Sequence, residues 1–186
     1  KKEERKNMKY LVVSDIHGSN YYANQIKEII QREEPDQIIL LGDLYYHGPR
    51  NPLTKEYNPK EVANTLNQFK EKILCVRGNC DAEVDEMISE FPFENQIRMT
   101  IHGVRFFFTH GHHENIDHLP DDMDVIVYGH FHTGFIKEKD GILAVNAGSI
   151  SLPKEQTPHS YLVIDDQEIQ LKDIEGNCIE ARNYRK

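Results

Sequence analysis

The chain has 186 residues, 38% apolar and 28% charged, the size and composition of one globular domain able to bury a core without disulfides. Its 22 Lys and Arg against 31 Asp and Glu give a net charge of -9, which argues against the clustered basic face of a nucleic-acid binder. No apolar run approaches the roughly 20 residues of a membrane span, no signal peptide precedes the first apolar run, and the three cysteines form no C-x-x-C pair. A cytoplasmic, reducing compartment with no membrane partner is the expectation.

In chain order, residues 1–7 are almost wholly charged and read as a flexible leader or an added remnant. Residues 8–186 are expected to form a single domain. Short apolar runs at residues 10–14, 37–41, 73–77, 105–109, 125–128 and 142–145 predict buried strands. Between the first of them, Ala23, Ile26 and Ile30 repeat on one face of a helix over 20–34. Val62, Leu66 and Phe69 do so after Asn58, where Asn58, Pro59 and Glu61 supply an N-cap, a first-turn proline and an acidic first turn. A third amphipathic stretch follows Asp81, with Val84, Met87, Ile88 and Phe91 on one side. Residues 160–164 and 168–174 predict a terminal hairpin around Asp165 and Asp166. The order β-α-β-α-β-α followed by strands implies layered sheets with flanking helices.

The chemistry lies where these runs end. Asp15 and His17 follow the first, Asp43 the second, Asn79 the third, His110 the fourth, and His130 and His132 the fifth. In α/β sheets the crevice outside the strands' carboxyl ends is the ligand site, so five distant segments would deliver their polar groups to one place. Imidazoles, carboxylates and one amide oxygen suit divalent manganese, iron, cobalt or zinc. Seven groups exceed one tetrahedral ion. Sharing Asp43 gives two ions four ligands each: Asp15, His17, Asp43 and His132 for one, Asp43, Asn79, His110 and His130 for the other. Ions about 3.5–4 Å apart can hold a bridging hydroxide and clamp an in-line phosphoryl displacement. Two divalent ions set against Asp15, Asp43 and that hydroxide leave a single positive charge to attract a phosphate.

The segments Asp15-Ile16-His17, Gly42-Asp43, Gly78-Asn79, Thr109-His110-Gly111-His112 and Gly129-His130-Phe131-His132 resemble the five ordered motifs of the calcineurin-like metallophosphoesterases. Asn79-Cys80-Asp81, His47-Gly48-Pro49-Arg50-Asn51 and Asn146-x-Gly148-Ser149 are similar to segments of the small bacterial YfcE-type phosphodiesterases. The resemblance implies an α/β fold, a four-layer αββα sandwich of two mixed β-sheets flanked by helices. It also implies a manganese-activated phosphodiesterase with the ligand set above. The larger family places histidine after the motif asparagine, where it contacts phosphate and can protonate the leaving group; here Cys80 stands. A neutral thiol is a poor acid, so good leaving groups or another acid are implied, with His47 and His112 as candidates. Asp43 joins these two as catalytic, and His47, Arg50, Asn79, Cys80 and His112 are the expected substrate contacts.

Plainer readings attach to other residues. Arg77, Asp81 and Asp85 fit helix-start or surface charges. Residues 45–57 and 146–149 fit ordinary turns, and Cys75 fits core packing. The favoured function is hydrolysis of a small phosphodiester. The alternatives are a phosphomonoesterase and a protein-binding scaffold of the kind found in the retromer subunit of this superfamily; a homo-oligomer is left open.

Overall fold

The computed structural model describes residues 7–185. The leader expected at 1–7 lies outside them except for Asn7. The chain alternates β1 (Tyr10–Val13), α1 (Asn20–Glu33), β2 (Gln37–Leu40), α2 (Pro59–Asn67), β3 (Ile73–Val76) and α3 (Glu83–Ile88). It continues as β4 (Phe93–Glu94), β5 (Ile97–Ile101), β6 (Val104–Phe108), β7 (Val125–Tyr128), β8 (Phe135–Lys139), β9 (Ile142–Asn146), β10 (Ser160–Ile164), β11 (Glu168–Asp173) and β12 (Cys178–Asn183). Two mixed sheets result, ordered β12-β11-β10-β1-β2-β3-β4 and β5-β6-β7-β9-β8. β1, β2 and β3 run parallel in the first; β6, β7 and β9 run parallel in the second.

The alternation of side chains along each strand builds the layers. Leu11, Val13, Ile38 and Leu40 turn outward onto Ile26, Ile29, Val62 and Leu66 of α1 and α2. Val12, Ile39 and Val76 turn inward and meet Phe106, Phe108, Val127 and Val145 of the second sheet. Burial on both faces explains why these strands read as unbroken apolar runs. The outer face of the second sheet presents Phe107, Ile126 and Tyr128, which Ile116, Leu119 and Met123 cover. These three belong to a segment without helix, so the outermost layer here is a loop. The architecture is otherwise the layered arrangement that the resemblance implies. Among the described residues no helix is long and apolar enough to cross a membrane.

α2 starts as the sequence predicts: Asn58 accepts from Glu61 N at 3.3 Å, with Pro59 in the first turn. The third helix departs from its expected orientation. α3 spans only Glu83–Ile88 and leaves Val84 60%, Met87 83% and Ile88 42% exposed. Its polar side faces inward: Asp85 is buried and accepts from Ala82 N at 2.8 Å. Neither Asp85 nor Asp81 is a surface charge. Asp81 accepts from Gly78 N, Asp43 N and Leu44 N at 2.7, 2.8 and 3.0 Å. This tether fixes the helix start, and so short a helix cannot turn its apolar side to the core against it. The edge strands β8 and β12 are largely open to solvent and give no apolar run; pairing with β9 and β11 recruits them.

Candidate metal centre

The carboxyl ends of β1, β2 and β3 in one sheet and of β6 and β7 in the other open onto the same crevice, and the seven candidate ligands converge there. Two triads form: Asp15, His17 and His132, and Asp43, His110 and His130. Asn79 joins the second, its Oδ1 2.9 Å from both His110 Nε2 and His130 Nδ1. Asp43 Oδ2 lies 3.2 Å from His110 Nε2 and 3.6 Å from His17 Nε2, so a single oxygen reaches both groups.

Carbonyl partners determine which ring nitrogens face inward. His17, His110 and His132 each place Nδ1 against a backbone oxygen, of Tyr46, Leu41 and Leu152, at 2.8, 2.7 and 2.7 Å. A carbonyl has no proton to give, so Nδ1 carries a hydrogen and Nε2 faces the crevice, bare whenever the ring is neutral. His17 Nε2 and His132 Nε2 are 3.2 Å apart, as are His110 Nε2 and His130 Nδ1. Lone pairs at that separation repel unless a cation or a proton lies between them.

Asp15 adds a second observation. Its Oδ2 accepts from Ser14 Oγ and His130 N, whereas Oδ1 is buried without a hydrogen bond, 3.2 Å from His132 Nε2 and 3.4 Å from His17 Nε2. With metal–ligand lengths of about 2.1 Å, neighbouring ligand atoms sit roughly 3.0–3.4 Å apart in octahedral to tetrahedral shells. The first triad has that spacing throughout, and in the second His110 Nε2 lies 3.2 Å from both Asp43 Oδ2 and His130 Nδ1. The donor set therefore fits two divalent ions.

Charge balance points the same way. Burial works against the charge of His110, yet the Asp43 and Asp15 carboxylates raise its pKa to about 9. Burial would lift Asp15, but contact with His132 and His17 holds it well below the usual carboxylate range. Cation binding must then displace protons. In cation-free protein, His110 stabilises the fold fully below its unfolded pKa near 6.5, and that contribution is lost as pH rises through about 9. Metal affinity is expected to run the opposite way, rising from pH 6.5 to 9, with roughly one proton released at pH 7.5 by His110. Calorimetry of metal binding in buffers of different ionisation enthalpy measures that release; a buffer-independent heat would contradict it.

The backbone here is unusual. Asp15, His17, Asp43, His130 and His132 have φ of 56°, 48°, 55°, 63° and 61°, the left-handed region that side chains other than glycine rarely adopt. Each costs on the order of 1 kcal/mol or more, so the surroundings must hold it. They do so through backbone bonds from Asp15 N to Gly42 O and His17 N to Asp43 O, at 3.1 and 2.9 Å. Ser149 and Ser151 both donate to Asp15 O, and Asn146 Nδ2 donates to Gly129 O. The segment read as a plain turn thus buttresses two ligand loops from below.

Two motif glycines are there for close approach. A Cβ on Gly78 would lie 2.1 Å from Asp43 Oδ1, and one on Gly129 would lie 2.0 Å from Ser14 Oγ and 2.5 Å from Asp15 Oδ2. Gly129→Ala is expected to push Asp15 aside, costing about 1–3 kcal/mol in overpacking and emptying the first triad. Metal analysis beside a thermal melt checks this, and full metal content would contradict it.

The remaining candidates stand around this centre. Cys80 donates its backbone N–H to Asp43 Oδ1 at 2.8 Å, and its Sγ lies close enough to His17 and Asp43 to form a third possible ligand group. Burial, and then the Asp43 and Asp81 carboxylates, push its thiol up to about 12, so it stays neutral. His112 sits beside the second triad, its ring 5.4 Å from that of His110 and 6.0 Å from that of His130. Burial and the His110 charge lower its pKa. His47 instead packs edge-on against Tyr46 and Tyr57, and none of its hydrogen bonds or ring contacts reaches a candidate ligand. Arg50 lines the cleft over Asp43 and Asn79.

Sequence reasoning missed Ser14, the tether made by Asp81, and Lys154, which lines the same cleft. Ser14 and Asp81 adjoin motif residues and could have been sought there. A lone lysine in a polar loop carries no such signal.

Fold and site are those of a metallophosphoesterase, and the chain belongs to the calcineurin-like phosphoesterase superfamily, whose domain matches residues 8–168. The chain is 36% identical over 178 residues to phosphodiesterase YfcE of Escherichia coli strain K12, covering 94% of this chain and 97% of that one. The solved structure of the E. coli phosphoesterase YfcE superposes with a TM-score of 0.92 at 34% identity, over 96% of this chain and all of the other. Chaetomium thermophilum Vps29 shares the fold alone, with a TM-score of 0.65 at 19% identity over 96% of this chain and 99% of its own.

Proposed function

We propose that this chain is a metal-dependent phosphodiesterase acting on a small phosphodiester, with two divalent ions, manganese foremost, held as the two triads are divided. The observation that carries the reading is Asp43 Oδ2, within reach of both triads. The relative of 36% identity is named a phosphodiesterase, which supports the same activity here. When bound, the ions supply an activated water and neutralise phosphoryl charge.

The chain's own residues do the rest. Asn79 and Asp43 orient the reacting centre, and Arg50 lines the cleft wall, where its guanidinium can take a phosphate group of the substrate through two oxygens at once. Ser14, Ser149 and Ser151 hold Asp15 in its one productive rotamer and backbone conformation. The thiol of Cys80 replaces the imidazole found in the larger family, so departing groups that need little protonation are favoured. His112 is the better placed of the two histidine candidates for a proton-transfer role.

The test is to strip the protein with chelator, restore manganese, and compare bis(p-nitrophenyl) phosphate with p-nitrophenyl phosphate. Metal-dependent cleavage favouring the diester is expected. A preference for the monoester would replace the reading with a phosphomonoesterase. Cleavage of neither, with two metals bound, would favour a scaffold role.

A further inference from the structure

We propose that Arg50 and Lys154 form a cationic clamp at the cleft mouth that takes a second, dianionic group of the substrate. The substrate class is then a phosphodiester whose other arm ends in a phosphate. This rests on the phosphodiesterase reading.

The two cations come from different parts of the fold and line one cleft. Arg50 belongs to the loop after β2, and Lys154 to the connection between β9 and β10. The cleft encloses about 110 Å³ and is lined also by Asp43, Asn79 and His132, so both cations border the space that substrate atoms beyond the reacting phosphate would enter.

Arg50 is the one arginine among the described residues with no ion pair, hydrogen bond or ring contact. The others pair with a carboxylate (Arg77, Arg105, Arg182), a backbone oxygen (Arg32, Arg185) or an aromatic face (Arg98). The Lys154 side chain likewise has no partner among the described residues, although its backbone is pinned at the site. Lys154 N donates to His132 O at 2.9 Å, and Thr157 Oγ1 donates to Lys154 O at 2.7 Å. The lysine stem therefore starts from a fixed point directly beside a candidate ligand.

Charge then identifies the ligand. Two divalent ions against Asp15, Asp43 and a hydroxide leave about one positive charge, which the single charge of a diester already matches. Two further unpaired cations at the mouth, in a chain of net charge -9, exceed that need. A terminal phosphate, which carries about -1.5 to -2 at neutral pH and presents three acceptor oxygens, matches the surplus in charge and in hydrogen-bonding capacity. Arginine supplies a planar fork and lysine a mobile point charge, a pairing suited to one tetrahedral anion approached from two sides.

The experiment uses manganese-loaded protein and three p-nitrophenyl phosphodiesters with the same leaving group, whose second arm is ethyl, choline or 2-phosphoethyl. Calorimetry with the non-hydrolysable phosphonate counterparts reads binding apart from turnover. The wild-type protein is expected to prefer the 2-phosphoethyl arm over the choline arm by about 100-fold in both readouts. Lys154→Ala and Arg50→Ala should each reduce that ratio about tenfold, and Lys154→Arg should retain most of it. These factors correspond to one charge-assisted hydrogen bond per cation. Equal use of the three arms by wild type, or an undiminished ratio in Lys154→Ala, overturns the clamp. If none of the esters is cleaved, the phosphodiesterase reading fails, and the calorimetric ratio still decides the clamp.

Discussion

Asp43→Ala is expected to lose both metal ions together and to lower phosphodiester turnover by roughly a thousand-fold, the rate equivalent of the several kcal/mol that Lewis-acid stabilisation contributes. The reason is geometric. Asp43 Oδ2 reaches His110 Nε2 and His17 Nε2, one in each triad, while Oδ1 is committed to Cys80 N. Removing that carboxylate leaves the two groups of imidazoles facing each other with half of the compensating negative charge gone. Substitution of an unshared donor should be milder: Asn79→Ala is expected to weaken the second ion alone. Elemental analysis after gel filtration reads both variants, and two ions per chain in Asp43→Ala would refute the bridging assignment.

Asp81→Ala should give the largest loss of stability. Three backbone N–H groups, of Gly78, Asp43 and Leu44, converge on this half-buried carboxylate and tie the loop after β2 to the loop after β3. Bonds to a charged acceptor contribute about 1.5–3 kcal/mol each. Removing Asp81 also relieves its repulsion from Asp43, which together with burial raises its pKa. The net expectation is about 2–4 kcal/mol. For a chain of this length that is a fall in Tm of roughly 5–15 °C. Metal affinity should drop about 10–100-fold, as for other partners that orient ligands indirectly. Asp81→Asn separates the two contributions, because it keeps one acceptor oxygen and removes the repulsion. An alanine variant that melts with the wild type would show that the tether is not what holds these loops.

Much of the fold was legible because its central strands are buried on both faces and so leave unbroken apolar runs, as β1, β2 and β7 do. The helices α1 and α2 were legible for a different reason: their apolar residues repeat on one face, and Asn58 and Pro59 mark a start that few other patterns mimic. α3 misled because its periodicity was real while its environment was not the one implied. The tether at Asp81 overrules the apolar side, and Val84 and Met87 are left in solvent. β8 and β12 were illegible because edge pairing asks only for backbone hydrogen bonds, which polar side chains do not advertise.

The candidate site divides along a similar line. Asp15, His17, Asp43, Asn79, His110, His130 and His132 were visible in sequence because few side chains can donate to a divalent ion and strand ends are few. Tertiary structure alone decided the rest: which nitrogen of each imidazole faces inward, the left-handed backbone of five of these residues, and the burial of Asp15 Oδ1. It also brought Lys154 to the mouth of the cleft, 104 positions along the chain from Arg50. Sequence by itself determined the kinds of atoms available and the strand ends that carry them. Their separations, tautomers and shared charge depend on two sheets meeting across a common core, and that meeting is set by packing between segments distant in the chain.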